Sequence, residues 1–178
     1  MNRRNLRVEA LTWKPNVSKE AILNQVSSTF IEGGFYGIMG PNGSGKTSLI
    51  RHILGFLEAK EGEVLLEEQS LKRYPRKKLA TYLSFVPQNV NMEVDFTVYD
   101  IVAMGRTPYG GRFKELSKVD QKKIEHAMKV THCTHLQERP FSYLSGGEAQ
   151  RVLVARAIAL LSLSCFQFSL TSAAWQIA

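Results

Sequence analysis

The sequence predicts an α/β domain carrying a helical insertion, and three features of the chain point to it. A glycine-rich loop, Gly40-Pro41-Asn42-Gly43-Ser44-Gly45-Lys46-Thr47, stands between a short apolar run and an amphipathic stretch. Runs with strand character lie before and after that loop. Capped helical stretches follow from residue 96 onward.

Taken in order, Leu6 to Leu11 alternates apolar and polar side chains and reads as a strand. Ile22 to Ile31 holds a second strand, with Val26 and Phe30 as candidate inward residues. Gly33-Gly34 marks a turn. Phe35 to Met39 is a short apolar run ending in glycine, which suits a buried strand. Beyond the loop, Leu49, Ile50, Ile53, Leu54 and Leu57 recur at helical spacing. Glu63 to Leu66 and Tyr82 to Val86 read as strands, the second closed by Pro87. Thr97 caps a helix running through Met104 to a stop at Gly105. Ser117 caps another through about Val130, and Ser145 precedes a third, from about Gly147 to Leu160.

The 178 residues suffice for one domain with a real core, or for one domain and a small appendage. A content of 44% hydrophobic and 22% charged residues excludes disordered, collagen-like and disulfide-built classes. The net charge of +7 raises nucleic acid and anionic membrane surfaces as partners. The basic residues are scattered, however. The densest group, Lys72-Arg73-Tyr74-Pro75-Arg76-Lys77-Lys78, reads first as a solvated helix start, with a phosphate-rich ligand or an acidic protein or membrane partner as the alternatives. Cys133 and Cys165 form no CxxC pair, which fits a reducing, cytoplasmic compartment. The group His126, His132, Cys133 and His135 matches no zinc spacing and reads as helix surface. The N-terminus has no apolar run behind its arginines and is not a signal peptide. The last charged residue is Arg156, and the 22 residues after it carry no charge, yet their many Ser, Thr and Gln residues argue against a membrane span.

Residues 40–47 fit G-x-x-x-x-G-K-[ST] without a mismatch. Glycines let backbone N–H groups turn inward to form an anion nest. The loop feeds a helix N-terminus, whose free N–H groups and dipole favour negative charge. Gly40, Pro41, Asn42, Gly43, Ser44, Gly45, Lys46, Thr47 and Ser48 are therefore the candidate phosphate-binding residues. Lys46 supplies charge for the β- and γ-phosphates, and the Thr47 hydroxyl suits Mg²⁺. The expected ligand is ATP with Mg²⁺.

A second cluster, Leu144-Ser145-Gly146-Gly147-Glu148-Ala149-Gln150-Arg151, is another helix start with a serine cap and adjacent glycines. By itself it reads as a plain capped helix or as a second phosphate contact. Together with residues 40–47 about a hundred positions earlier, and Phe85-Val86-Pro87-Gln88 between, it resembles the ATP-binding subunit of ABC transporters, here with the glutamate variant of the LSGGQ-type signature. The resemblance runs from about Leu6 to Ala159. It implies a P-loop ATPase core with an antiparallel β subdomain and a helical insertion at about residues 96–145. It also implies that Thr47 and Gln88 meet Mg²⁺, and that Leu144, Ser145, Gly146, Gly147, Glu148 and Gln150 form a signature facing the γ-phosphate held by a second ATP-binding subunit. Such subunits pair head to tail and couple to membrane-spanning permease subunits at the inner face of the cell membrane, with no nucleic acid expected. The stretch Phe96 to Tyr109, with Gly105-Arg106-Thr107-Pro108-Tyr109 at its end, is similar to importers of iron chelates, haem and cobalamin. Trp13 lies near the place where the family stacks adenine, about two residues early, and reads as a core or surface tryptophan.

The family also uses an Asp-Glu pair ending an apolar strand some twenty residues after the signature, and a later histidine. This chain has no Asp or Glu after Glu148 and no histidine after His135, so no catalytic residue is identifiable. The expected organisation is an incomplete nucleotide-binding domain over residues 1–160, missing its C-terminal strands, and a non-family apolar tail over 161–178. The abrupt loss of charge fits a reading-frame change or truncated gene near Leu160, which the coding DNA tests. A parallel sheet lacking central strands leaves apolar edges open unless the tail covers part of the gap. The chain is then an importer ATPase subunit, or a nucleotide-binding fragment or gene remnant that does not hydrolyse. A soluble repair or translation ATPase of the same fold usually has coiled-coil insertions or two phosphate loops, and neither is present. A kinase or GTPase leaves Leu144 to Arg151 unexplained.

Overall fold

The computed structural model describes residues 4–15, 20–87, 96–110, 115–160 and 166–169, and these form two compact units, residues 1–79 and 80–178. In the first, β1 (Asn5–Trp13), β2 (Leu23–Ile31), β3 (Glu61–Leu66) and β4 (Gln69–Ser70) make an antiparallel sheet in the order β2-β1-β3-β4. The alternation read from the sequence sets its inner face: Leu6, Val8, Leu11, Leu23, Phe30, Val64 and Leu66 are buried. Val26 is only half-buried. Gly62, at φ 75°, sits where an added Cβ would come 2.4 Å from the carbonyl oxygens of Glu9 and Ala10, so the close approach at the irregular centre of β1 requires a glycine.

Between β2 and β3 lies α1 (Lys46–Ile53), which buries Leu49, Ile50, His52 and Ile53. The ring of Trp13 meets His52 edge-on at 5.3 Å, so this tryptophan is a partly buried packing residue in the sheet unit. The basic group 72–78 covers a 3₁₀ turn and α2 (Arg76–Leu79), with its Lys and Arg side chains exposed.

One expected element does not form. Residues 35–39 adopt no strand, and Phe35 and Met39 are 88% and 94% exposed. Tyr36 packs back edge-on to Phe30, its hydroxyl accepting the Ile31 N–H at 2.9 Å, and Ile38 is half-buried. An apolar run becomes a central strand only when neighbours offer it a ladder. The sheet of this unit is complete without the run, and no described strand pairs with it.

The second unit is mainly helical. It contains β5 (Leu83–Val86), α3 (Val98–Ala103), a 3₁₀ turn at Met104–Arg106, α4 (Thr107–Gly110), α5 (Lys118–Val130), α6 (Gly146–Leu160) and β6 (Phe166–Ser169). Thr97 and Ser117 cap α3 and α5 as expected, each in a reciprocal box with the aspartate three residues on, Asp100 and Asp120. Gly105 falls inside the 3₁₀ turn rather than ending the helical run, and α4 follows directly. Val98, Ile101, Val102, Ile124, Met128, Phe141, Val152 and Leu153 form one buried cluster. The strand β6, within the charge-free stretch, runs parallel to β5 with Leu83 opposite Phe166 and Val86 opposite Ser169.

Candidate functional site

The phosphate loop turns on Gly43 and Gly45, at φ 82° and 89°, in the left-handed region that side chains disfavour. At Gly45 an added Cβ would also meet Ile22 Cγ2 at 2.8 Å and Leu23 Cδ2 at 2.9 Å. Gly45 is the N-cap of α1 and brings no side-chain hydrogen bond to it. The first-turn N–H groups of a helix have no partner within it, so this terminus depends on solvent or a ligand. Beside it the Lys46 ammonium donates to Gly40 O at 2.8 Å and Pro41 O at 2.7 Å, with Ser44 Oγ at 3.5 Å. Those bonds arch the lysine over the loop and hold its charge there. Thr47 is exposed in the first turn, and the Ser48 carbonyl is bonded to the His52 ring at 2.7 Å. No acidic residue occupies that turn. A polyanion fits such a donor set.

The second motif opens α6 differently. The Ser145 hydroxyl and N–H donate to Glu148 Oε2 at 2.6 and 2.8 Å, and the Glu148 N–H returns to Ser145 Oγ at 3.4 Å. This reciprocal box closes the helix start on itself. The Ser145 hydroxyl, chiefly, holds the Glu148 carboxyl below the usual carboxylate range, helped by the Ser145 N–H, Arg139 and Arg151. Gly146 and Gly147 are exposed, and a Cβ on either would meet nothing within 4 Å. Leu144 is half-buried against the helical core, and Gln150 Nε2 is buried without a protein acceptor among the described residues. Gln88 lies outside the described residues.

Cys133 is buried with its sulfur 3.2 Å from Thr131 Oγ1, while His126, His132 and His135 are exposed. Among the described residues no three His, Cys, Asp or Glu gather as a metal cluster, and no helix is long and apolar enough to cross a membrane. Two features escaped sequence reasoning. One is the part of Glu148 in the Ser145 cap, which the S-x-x-E spacing signals. The other is the burial of Arg106, whose partners lie 14 and 53 residues away.

One unit carries a glycine loop feeding an uncapped helix together with an antiparallel sheet, the other is helical with its own serine-glycine-glycine helix start, and the two together have the features of a P-loop ATPase fold. The chain belongs to the ABC transporter family, whose model matches residues 23–162. It is 37% identical over 144 residues to the hemin import ATP-binding protein HmuV of Pseudomonas fluorescens, covering 80% of this chain and 54% of that one. It is 32% identical over 154 residues to the ferric enterobactin transport ATP-binding protein FepC of Escherichia coli, covering 86% of this chain and 56% of that one. The chain thus spans about half the length of these curated relatives. Among solved structures, an inward-facing metal-chelate-type ABC transporter aligns with 89% of this chain and 57% of its own, at 30% identity and a TM-score of 0.73.

Proposed function

We propose that this chain binds Mg²⁺–ATP at residues 40–48 and serves as the ATP-binding part of an ABC importer for an iron chelate, haem or cobalamin. The carrying observation is the start of α1, where the N-cap makes no side-chain bond and Lys46 stands beside it. Lys46 and the loop N–H groups would hold the β- and γ-phosphates. The Thr47 hydroxyl is a hard oxygen of the kind Mg²⁺ takes, Gln88 is the second proposed protein ligand, and the ATP phosphates would supply further oxygens. When bound, Mg²⁺ would neutralise phosphate charge. Ser145, Gly146 and Gly147 would meet the γ-phosphate of a second copy in a head-to-tail pair, with permease subunits as partners on the cytoplasmic face of the membrane. The relatives named for hemin and ferric enterobactin support the solute class.

A second reading, binding without hydrolysis, is favoured by a specific observation. β6 lies about twenty residues beyond the signature, where the family resemblance puts an Asp-Glu strand, and residues 149–178 contain neither acid. Water attack needs a metal-holding acid and a residue that orients the water. Calorimetric titration with Mg²⁺–ATP and a phosphate-release assay on the same sample test both readings. Saturable binding with no release above background supports binding without hydrolysis, whereas turnover would overturn it. Absence of binding would overturn the nucleotide reading itself.

A further inference from the structure

Helix α6 is described through Leu160. Two carbonyls of its last described turn are met by side chains from residues some fifty positions earlier. Arg106 Nη1 donates to Ala159 O at 2.8 Å, and the Tyr109 hydroxyl donates to Leu160 O at 2.9 Å. The Arg106 guanidinium lies 3.9 Å over the Tyr109 ring, so one residue braces the other.

Arg106 is only 7% exposed, and its charge is matched. Its Nε donates to Asp120 Oδ1 at 2.8 Å, while the other oxygen of that carboxylate accepts from the Ser117 hydroxyl and N–H in the α5 cap. One guanidinium therefore joins the start of α5 to the end of α6. Gly105 admits it: a Cβ there would lie 2.4 Å from Arg156 O, so the turn at 104–106 presses on the α6 backbone as only glycine allows. Gly105, Arg106 and Tyr109 meet the last described turn of α6, and Asp120 holds Arg106 in place.

We infer that Arg106 and Tyr109 are positioning residues for α6: they hold its last described turn, at residues 159–160, against the start of α5. The clasp stands on its own geometry. Its bearing on nucleotide chemistry, through the Ser145 end of the same helix, rests on the function proposed above.

Hydrogen exchange by mass spectrometry on the full chain tests the inference, comparing wild type with Arg106→Met, Arg106→Lys and Tyr109→Phe. In Arg106→Met the amides of residues 155–160 should exchange roughly tenfold faster or more, as expected for losing a charged, buried hydrogen-bond set. The amides of residues 124–128, in the core of α5, should stay within about twofold of wild type, because their ladder is local. Arg106→Lys keeps the charge but cannot span both partners, and should fall between. Tyr109→Phe loses a single neutral bond, and should speed exchange roughly threefold at the α6 end alone. Unchanged exchange at 155–160 in both Arg106→Met and Tyr109→Phe would overturn the inference. So would a uniform loss of protection through 83–86, 124–128 and 155–160, which marks Arg106 as a general stabiliser. Should Arg106→Met fail to fold, the confined effect of Tyr109→Phe decides. Mg²⁺–ATP binding measured on the same samples separates the two claims, since a wild-type chain that does not bind removes the nucleotide reading and leaves the exchange result standing.

Discussion

The helix that follows residues 40–47 and the helix that follows Ser145 both begin at glycines, yet they satisfy their first turns in opposite ways. Gly45 gives α1 no side-chain cap and stands beside the Lys46 cation. Ser145 caps α6 through Glu148, so its hydroxyl and N–H are already committed to a carboxylate. The first terminus is open to an anion from solution. The second is capped at Ser145, and a phosphate taking the Ser145 hydroxyl must displace Glu148 from it. Under the proposed function, the difference would separate a site that one chain can fill from a surface that acts only once a phosphate is presented to it.

The sharpest way to break this contrast is at the glycines. Gly45→Val places a branched side chain at φ 89° against Ile22 and Leu23. It should cost about 2–3 kcal/mol in chemical denaturation and abolish Mg²⁺–ATP binding. Gly146→Ala, where a Cβ meets nothing, should change stability by no more than about 1 kcal/mol. A comparable cost at both sites would erase the distinction. Thr47→Ala should weaken nucleotide binding roughly tenfold in Mg²⁺ and leave it unchanged in EDTA, as expected for one lost oxygen ligand. Ser145→Ala should cost about 1 kcal/mol of stability as a lost cap, with Mg²⁺–ATP binding at residues 40–48 untouched. A drop in binding there would mean that the two motifs are coupled within one chain.

The smallest effect concerns acid. The Asp120 carboxyl is held below its ordinary value chiefly by the Ser117 hydroxyl, then by Arg106, and Glu148 likewise by Ser145. Carboxyls lowered on folding stabilise the protein above their unfolded pKa values, and that contribution is lost as pH falls through the lowered ones. The melting temperature should therefore fall on acidification below about pH 4–5, where unfolded carboxylates begin to bind protons. Ser117→Ala should flatten that decline, and an unchanged slope would remove Asp120 as its source.

What the sequence made legible follows from the range of the interactions. Caps at Thr97, Ser117 and Ser145 are set by side chains three residues apart, and each helix starts where its cap predicts. The phosphate loop is as local, since its glycine angles and the Lys46 bonds lie within eight consecutive residues. The apolar run 35–39 shows the limit of periodicity, which tells which side chains seek burial and not whether a strand is present to pair with them. The bonding of Arg106 to Ala159, across 53 residues, is a product of packing and had no sequence signal beyond the motif that contains it. Among the charge-free residues past 160, β6 pairs in parallel with β5, a pairing that no spacing in the sequence signals.

The central claim is that the open start of α1 holds the phosphates of Mg²⁺–ATP, and titration of the wild-type chain beside Lys46→Ala tests it most directly. The account predicts saturable binding by wild type, weakened roughly ten- to a hundredfold in Lys46→Ala, the loss expected when a charged hydrogen bond is removed. Equal binding by the two chains, or none by wild type in a folded sample, would contradict it.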